Sequence, residues 1–408
     1  MLEWKLIRLG DICVTNKNSY SSKDNWKFVN YLDTGSITEN KITELQYINI
    51  ETDKMPSRAR RKVIKNSILY STVRPNQLHY GIIKEPVDNL LVSTGFTVID
   101  VDTNKAIPEF IYYLLTQNNI TEKLQAIAEQ SVSTYPSIKS SDIEDLEFKL
   151  PNLIIQNKIV SILDTIDSKI CQNEKINNNL EQQAQAIFKS WFVDFEPFGG
   201  VQPSEMQFIP LQELCKVVTK GTTPTTLGKS FTSSGINFIK AESILDNHSI
   251  DSSKFAFIDE ETNALLKRSI IKANDIVFTI AGTLGRFAMV DNSVLPANTN
   301  QAVAIIRPDE TKVTPAYLYS FFIGNWHNEY YSKRIQQAVQ ANLSLTTIKS
   351  LPIAVLNNTT MSNYDKLVSP LFALMKNNEE ENRRLSKLRD ALLPKLMSGE
   401  LDVSDINL

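Results

Sequence analysis

The chain has 408 residues, 42% hydrophobic and 22% charged, with a formal net charge of −3. That length holds two or three domains, each able to bury a core, and no run of about 18 apolar residues is present to suggest a membrane span. Three scattered cysteines (Cys13, Cys171, Cys215) without a C-x-x-C pair argue against a disulfide framework and a zinc site. The opening "MLEWKLIRLGD" lacks a signal-peptide core. The expected compartment is therefore a reducing cytoplasm, with no metal and no cofactor.

Net charge hides distribution. From Lys54 to Lys84 there are eight Lys or Arg residues and no acid, the densest run being Arg58, Arg60, Arg61 and Lys62. Basic stretches purged of acid suit phosphate neutralisation, a solvated basic face being the plainer alternative. Apolar runs such as "SILYSTV" and "LLVSTGFTVIDV" predict strands. The turn after the first offers Arg74, Asn76 and Gln77, donors able to reach base edges. Pro108 signals a helix start. Glu147-Phe148-Lys149 has the E-x-K form of nuclease sites, but no metal-binding Asp precedes it at a suitable distance, so a strand is expected there.

A long helix without Pro or Gly is predicted over roughly Ile155–Phe192. Ile159, Ile162, Ile166, Ile176, Leu180 and Ile187 follow the 3-4 spacing of a heptad seam, interrupted by Lys169, Asn173 and Gln183.

Next comes "TKGTTPTTLGKS", Thr219 to Ser230, which imitates a phosphate-binding P-loop. The pattern G-x-x-x-x-G-K-[ST] needs a glycine where Thr223 stands, and Pro224 removes a backbone donor. A polar loop carrying Lys220, Thr222, Thr223 and Lys229 is what remains, and no ATPase activity is expected. Further on, Thr283 and Arg286 follow the run "DIVFTIA" in a glycine-bearing turn. Arg286 is expected to fork onto a phosphate or a guanine, and the amides of "NTNQ" (298–301), including Asn300 and Gln301, to suit adenine. A hairpin turn is the plainer reading of both. From about Met361 a second long helix repeats the seam with Tyr364, Leu367, Leu371, Leu374, Leu385, Leu388 and Leu392, interrupted by Asn378 and Glu381.

The organising feature is an internal duplication. "IRLGDIC" (7–13) matches "IPLQELC" (209–215), "IPEFIYYLL" (107–115) matches "TPAYLYSFF" (314–322), and the helices align at an offset of 205. Each match is weak, but their collinear order is not. Two copies of one α+β domain are expected, each β-rich and each followed by a long helix. Asn173 and Asn378 share a seam position, so the helices are expected to pair as an antiparallel coiled coil, with packing against the chain's own domains as the competing explanation. Such a pair would form a rod about 50 Å long at roughly 1.5 Å per residue. Catalytic constellations are missing: no H-E-x-x-H, no G-x-S-x-G, no "NPPY"-like loop and no glycine-rich S-adenosylmethionine loop.

The strings "AIFKSWFVDFEPF" (186–198), "LRDALLPKLMSGELDV" (388–403), "TKGTTP" (219–224), "IVFTIAGTLGR" and "ANTNQAVAIIRP" resemble the specificity (S) subunits of type I restriction-modification systems, over essentially the whole chain. The usual proline-rich start of the helix survives in part as "LPNLIIQNKI" and is lost in the second copy, "LNNTTMSNYDKL". The resemblance implies target recognition domains over 1–152 and 201–357, with spacer helices over 153–200 and 358–408. It implies a non-catalytic subunit reading a bipartite, asymmetric target on double-stranded DNA, the helices setting the gap. It also implies two modification subunits that methylate adenine and restriction subunits that hydrolyse ATP as partners, and no membrane. A stand-alone nuclease or methyltransferase component, and a coiled-coil scaffold without DNA function, are the alternatives.

Overall fold

The computed structural model describes residues 4–131, 135–327, 330 and 343–406. Two compact units divide the chain: Met1–Ile170 with Asn382–Leu408, and Cys171–Glu381. Each holds one β-rich region and part of both long helices, whereas the boundaries expected from sequence treat the helices as separate segments.

In the first unit a four-stranded antiparallel sheet runs in the order Cys13–Thr15, Phe96–Val101, Ser67–Ser71, Tyr80–Ile83. Ser67–Ser71 is buried along its whole length, which explains why its sequence is an apolar run without alternation. A second sheet runs Gln46–Asn49, Phe28–Leu32, Leu90–Ser93, Ala59–Lys62, with Phe28–Leu32 and Leu90–Ser93 parallel. Lys5–Arg8 pairs with Glu147–Leu150, joining the start and end of the domain. The E-x-K residues therefore lie in a strand.

The second unit repeats most of this topology, its second sheet having three strands instead of four. Cys215–Lys220, Val303–Pro308, Ile276–Thr279 and Phe287–Met289 form the antiparallel sheet. Ile236–Ile239 lies between Ala256–Ile258 and its parallel neighbour Ala297–Thr299. Gln207–Pro210 pairs with Pro352–Val355. The helices Pro108–Leu115 and Pro315–Ile323 both begin on proline, where the missing N–H has no intrahelical partner to lose.

The long helices span Leu153–Phe192 and Asn358–Ser398. Each is started by an asparagine 205 positions from the other. Asn152 Oδ1 accepts from the Ile155 N–H at 3.0 Å, and Asn357 Oδ1 from the Thr360 N–H at 2.9 Å. The side chain satisfies an N–H that the first turn leaves free. Hence the second helix begins cleanly although its sequence lost the proline-rich lead.

The helices pack antiparallel. In the first unit Arg389 Nη1 reaches Asp167 at 3.1 Å; in the second, Asn173 donates to Glu381 at 2.7 Å and Asn378 to Asn177 at 2.7 Å. Ile159, Ile166, Asn173, Leu180, Tyr364 and Asn378, all expected on this seam, are buried. The rest of it is rotated. Leu163, Ala184, Phe188, Val368, Phe372 and Met375 are buried. Ile162, Ile187, Leu371, Leu385 and Leu392 are only half-buried, while Ile176, Leu374 and Leu367 (47%) are exposed. The cause is that both helices also pack on the β-rich domains. Phe188, Phe192 and Tyr364 stack among Tyr317 and Phe321, which turns the buried stripe toward the sheet. Mutual pairing and domain packing both hold.

Candidate nucleic-acid interface

In the first unit the basic run falls on Ala59–Lys62, at the edge of its sheet. Its four cations differ. Arg58 and Arg60 are exposed and form no ion pair among the described residues. Arg61 is half-buried, its Nε is enclosed without a hydrogen-bond partner, and burial lowers its pKa. Lys62 is already neutralised: its ammonium pairs with Asp24 and lies 5.2 Å from the Trp26 ring centroid. Of the basic run expected to contact phosphates, three guanidiniums form no ion pair among the described residues, and the Lys62 ammonium is engaged within the protein.

Arg74, at φ +47°, leads a short 3-10 turn, Pro75–Gln77. Its guanidinium lies 5.2 Å from the Tyr135 ring, and Asn76 and Gln77 are exposed beside it. The turn is fixed by the Asn76 N–H, which donates to Gln125 Oε1 at 3.2 Å.

In the second unit, Thr219–Ser230 is no phosphate cradle. The strand Cys215–Lys220 ends in it, and a 3-10 turn, Pro224–Leu227, follows. Gly221 is required because a Cβ there would lie 1.9 Å from the Thr299 carbonyl oxygen. This close approach lets the Thr222 N–H reach Thr299 O at 3.2 Å and the Thr223 hydroxyl reach Gln301. Lys220, Thr222, Thr223, Asn300 and Gln301 are thereby brought together. Arg268, not singled out from the sequence, joins them through Thr222 Oγ1 at 3.4 Å; it lies in a short segment with no basic run to mark it.

Other expected contacts are engaged within the protein. Asn298 of "NTNQ" is fully buried and bonded to Ser269 and Asn263. Asn300 Oδ1 accepts from the Ala302 N–H at 3.1 Å. Lys229 pairs with Glu261 at 2.7 Å. Thr283 and Arg286 belong to the hairpin between Ile276–Thr279 and Phe287–Met289, with Gly282 and Gly285 at positive φ. The Thr283 carbonyl accepts from the Thr279 hydroxyl, and Arg286 is held bidentately by Asp246.

Among the described residues, no group of three or more His, Cys, Asp or Glu is arranged to hold a metal, and no helix is long and apolar enough to cross a membrane. His248 stacks on Phe287 at 4.1 Å and His327 is buried among phenylalanines.

The family model for the type I restriction modification DNA specificity domain matches residues 1–182 and 203–357. The chain is 28% identical over 476 residues to the type I restriction enzyme HindI specificity subunit of Haemophilus influenzae, covering 98% of this chain and 100% of that one. It is 26% identical over 427 residues to the MjaIX specificity subunit of Methanocaldococcus jannaschii, covering 98% and 94%. The crystal structure of a type I restriction-modification S subunit from M. genitalium shares the fold, with a TM-score of 0.55, 17% identity and coverage of 97% and 96%. The chain thus belongs to the type I restriction-modification specificity subunits, the non-catalytic, DNA-recognising members of these systems.

Proposed function

We propose that each of the two β-rich domains reads one half of a bipartite, asymmetric target on double-stranded DNA, and that the paired helices set the gap between the halves. The observation that carries this reading is a duplicated topology bearing non-identical surfaces: the four-stranded antiparallel sheet recurs in both copies, but the first presents Arg74 and, at an edge strand that the second copy's three-stranded sheet lacks, Arg58, Arg60 and Arg61, while the second presents Lys220, Thr222, Thr223, Arg268 and Gln301. One scaffold with two different reading surfaces fits two different half-sites. Phosphate contact falls mainly to these guanidiniums of the first copy, which form no ion pair among the described residues. Two modification subunits supply adenine methylation, restriction subunits supply ATP-driven cleavage, and the complex works in the cytoplasm.

Long-read mapping of methylated adenines, in cells expressing the chain with its modification subunits, tests this. The expected result is one asymmetric motif with two short half-sites and a fixed gap. Exchanging residues 203–357 for those of a relative should change one half-site only. A continuous palindromic motif would overturn the reading.

A further inference from the structure

The first unit contains a cavity of about 480 Å³ with no part in the DNA-facing loops. One wall is the turn around Glu39, which stands at φ +46°. Its backbone is clamped to the neighbouring strand: the Glu39 N–H donates to Leu78 O and the Asn40 N–H to Tyr80 O, both at 2.9 Å, and Asn40 Oδ1 accepts from the Ile82 N–H at 2.9 Å. The Glu39 carboxylate is thus held at the cavity, yet forms no ion pair or side-chain hydrogen bond with the described residues. A side chain kept in the left-handed region is a position the surroundings enforce.

Tyr80 forms the floor. It is only 6% exposed, stacked on Tyr70 with centroids 5.8 Å apart and edge-on to Tyr112 at 6.4 Å. Its hydroxyl has no hydrogen-bond partner among the described residues. The opposite wall carries Arg389, which bonds Asp167 at 3.1 Å and Asp390 at 2.9 Å. Tyr113 donates to the same Asp167 at 2.7 Å. Three carboxylates of the lining therefore face a single guanidinium, and the one left over is Glu39.

A partnerless hydroxyl on a side chain more than nine-tenths buried, opening into the cavity, and a carboxylate without a counter-charge suit the same guest: a group that donates N–H bonds and carries positive charge. Aromatic faces favour such a group as well. We propose that this cavity binds an organic cation, its alkylammonium or guanidinium head donating to Glu39 and to the Tyr80 hydroxyl oxygen, against the ring of Tyr112. Nucleic acid is excluded as the guest, because its phosphates would meet the acid surplus. The cation comes either from a free polyamine or from a basic side chain of a partner protein.

Ligand-observed saturation-transfer NMR on the full chain tests the site, with agmatine as probe and neutral N-butylurea as control. Agmatine should give a saturable signal and butylurea none. Glu39→Gln and Tyr80→Phe should each weaken agmatine at least fivefold. Glu39 is exposed, so its variant should retain the wild-type melting temperature. No agmatine signal from the wild type, or equal affinity in folded Glu39→Gln, would overturn the proposal. Repeating the titration on the chain assembled with its modification subunits identifies the source. Loss of agmatine binding, with weaker assembly of Glu39→Gln, assigns the cation to a partner side chain. Retention, with competition by spermidine, assigns it to a free polyamine. Both results keep the cavity as an organic-cation site.

Discussion

Arg286 and Asp246 meet across 40 residues of sequence through two hydrogen bonds of 2.6 Å, from Nε and Nη2 to the two carboxylate oxygens. The fork that would read a guanine is the fork Asp246 fills. Asp246 itself is 80% exposed, so the pair is open to competition from a stronger anion. Asp246→Ala should therefore release Arg286, tighten binding to any DNA sequence and steepen the salt dependence by about one unit of slope. Fluorescence anisotropy across a salt series measures this. An unchanged slope would remove Arg286 from the interface.

The basic edge strand makes a sharper comparison. Arg60 is exposed and forms no ion pair among the described residues, whereas Lys62, two residues on, is bound to Asp24. Arg60→Ala should shallow the salt slope by about one on specific and random duplexes alike. Lys62→Ala should leave the slope within error of wild type, since it removes a charge that Asp24 already cancels. Equal effects from the two would mean that Asp24 releases Lys62 on binding.

What could be read from the sequence follows the range of the interactions involved. The duplication was legible because apolar spacing and proline positions repeat in order, as at Pro108 and Pro315. Local windows could not show that Asp24, Asp246 and Glu261 fold onto Lys62, Arg286 and Lys229. An acid-free run of sequence says nothing about acids that arrive through tertiary packing. The seam was half legible for a related reason. Leucines at 3-4 spacing mark a helix with an apolar stripe, but the partner decides which of two adjacent stripes is buried. Here Phe188 and Tyr364, meeting the domain's aromatic core, shifted it away from Leu367 and Leu374.

That shift is measurable as stability. Phe188→Ala should cost about 3–5 kcal/mol, because it empties a fully packed aromatic site. Asn378→Ala should cost about 1–2 kcal/mol, since it removes the hydrogen bond from the buried Asn378 amide to the half-buried Asn177 oxygen. Leu367→Ala and Leu374→Ala should stay within about 0.5 kcal/mol, as both are exposed. Urea unfolding followed by circular dichroism ranks the four. Large losses at Leu367 would restore the seam expected from sequence.

Acid should destabilise the second unit through His327. It is fully buried against Phe278, Phe287 and Phe322, and burial pushes its pKa down to about 3. Its folded pKa lies below the unfolded value of about 6.5, so the unfolded chain binds a proton that the folded chain refuses. The contribution is complete above about pH 6.5 and is lost as pH falls toward 3, at about 1.4 kcal/mol per pH unit for one proton. His248, also lowered by burial, acts in the same direction. Denaturant midpoints between pH 7 and pH 4 should fall more steeply for the wild type than for His327→Leu. Parallel curves would show that His327 takes up its proton without unfolding.

The proposed spacer role of the helices is tested by lengthening both together. One heptad inserted between Ile166 and Asn173, with another between Glu381 and Leu385, keeps the Asn177–Asn378 and Asp167–Arg389 contacts in phase. Seven residues add about 10 Å of rise, and a heptad drifts by only about 20° in facing direction. At about 3.4 Å per base pair, the gap should grow by about three base pairs. Both half-site sequences should persist, because no reading loop is altered. Three base pairs also turn one half-site by about 100° round a duplex of roughly 10.5 base pairs per turn. Methylation should therefore be less efficient even where the motif follows the helices. Adenine-methylation mapping reads both quantities at once. If the longer pair instead methylates the original motif at the original gap, the spacing is set by the bound partners or by flexible joints, and the helices serve only to hold their domains.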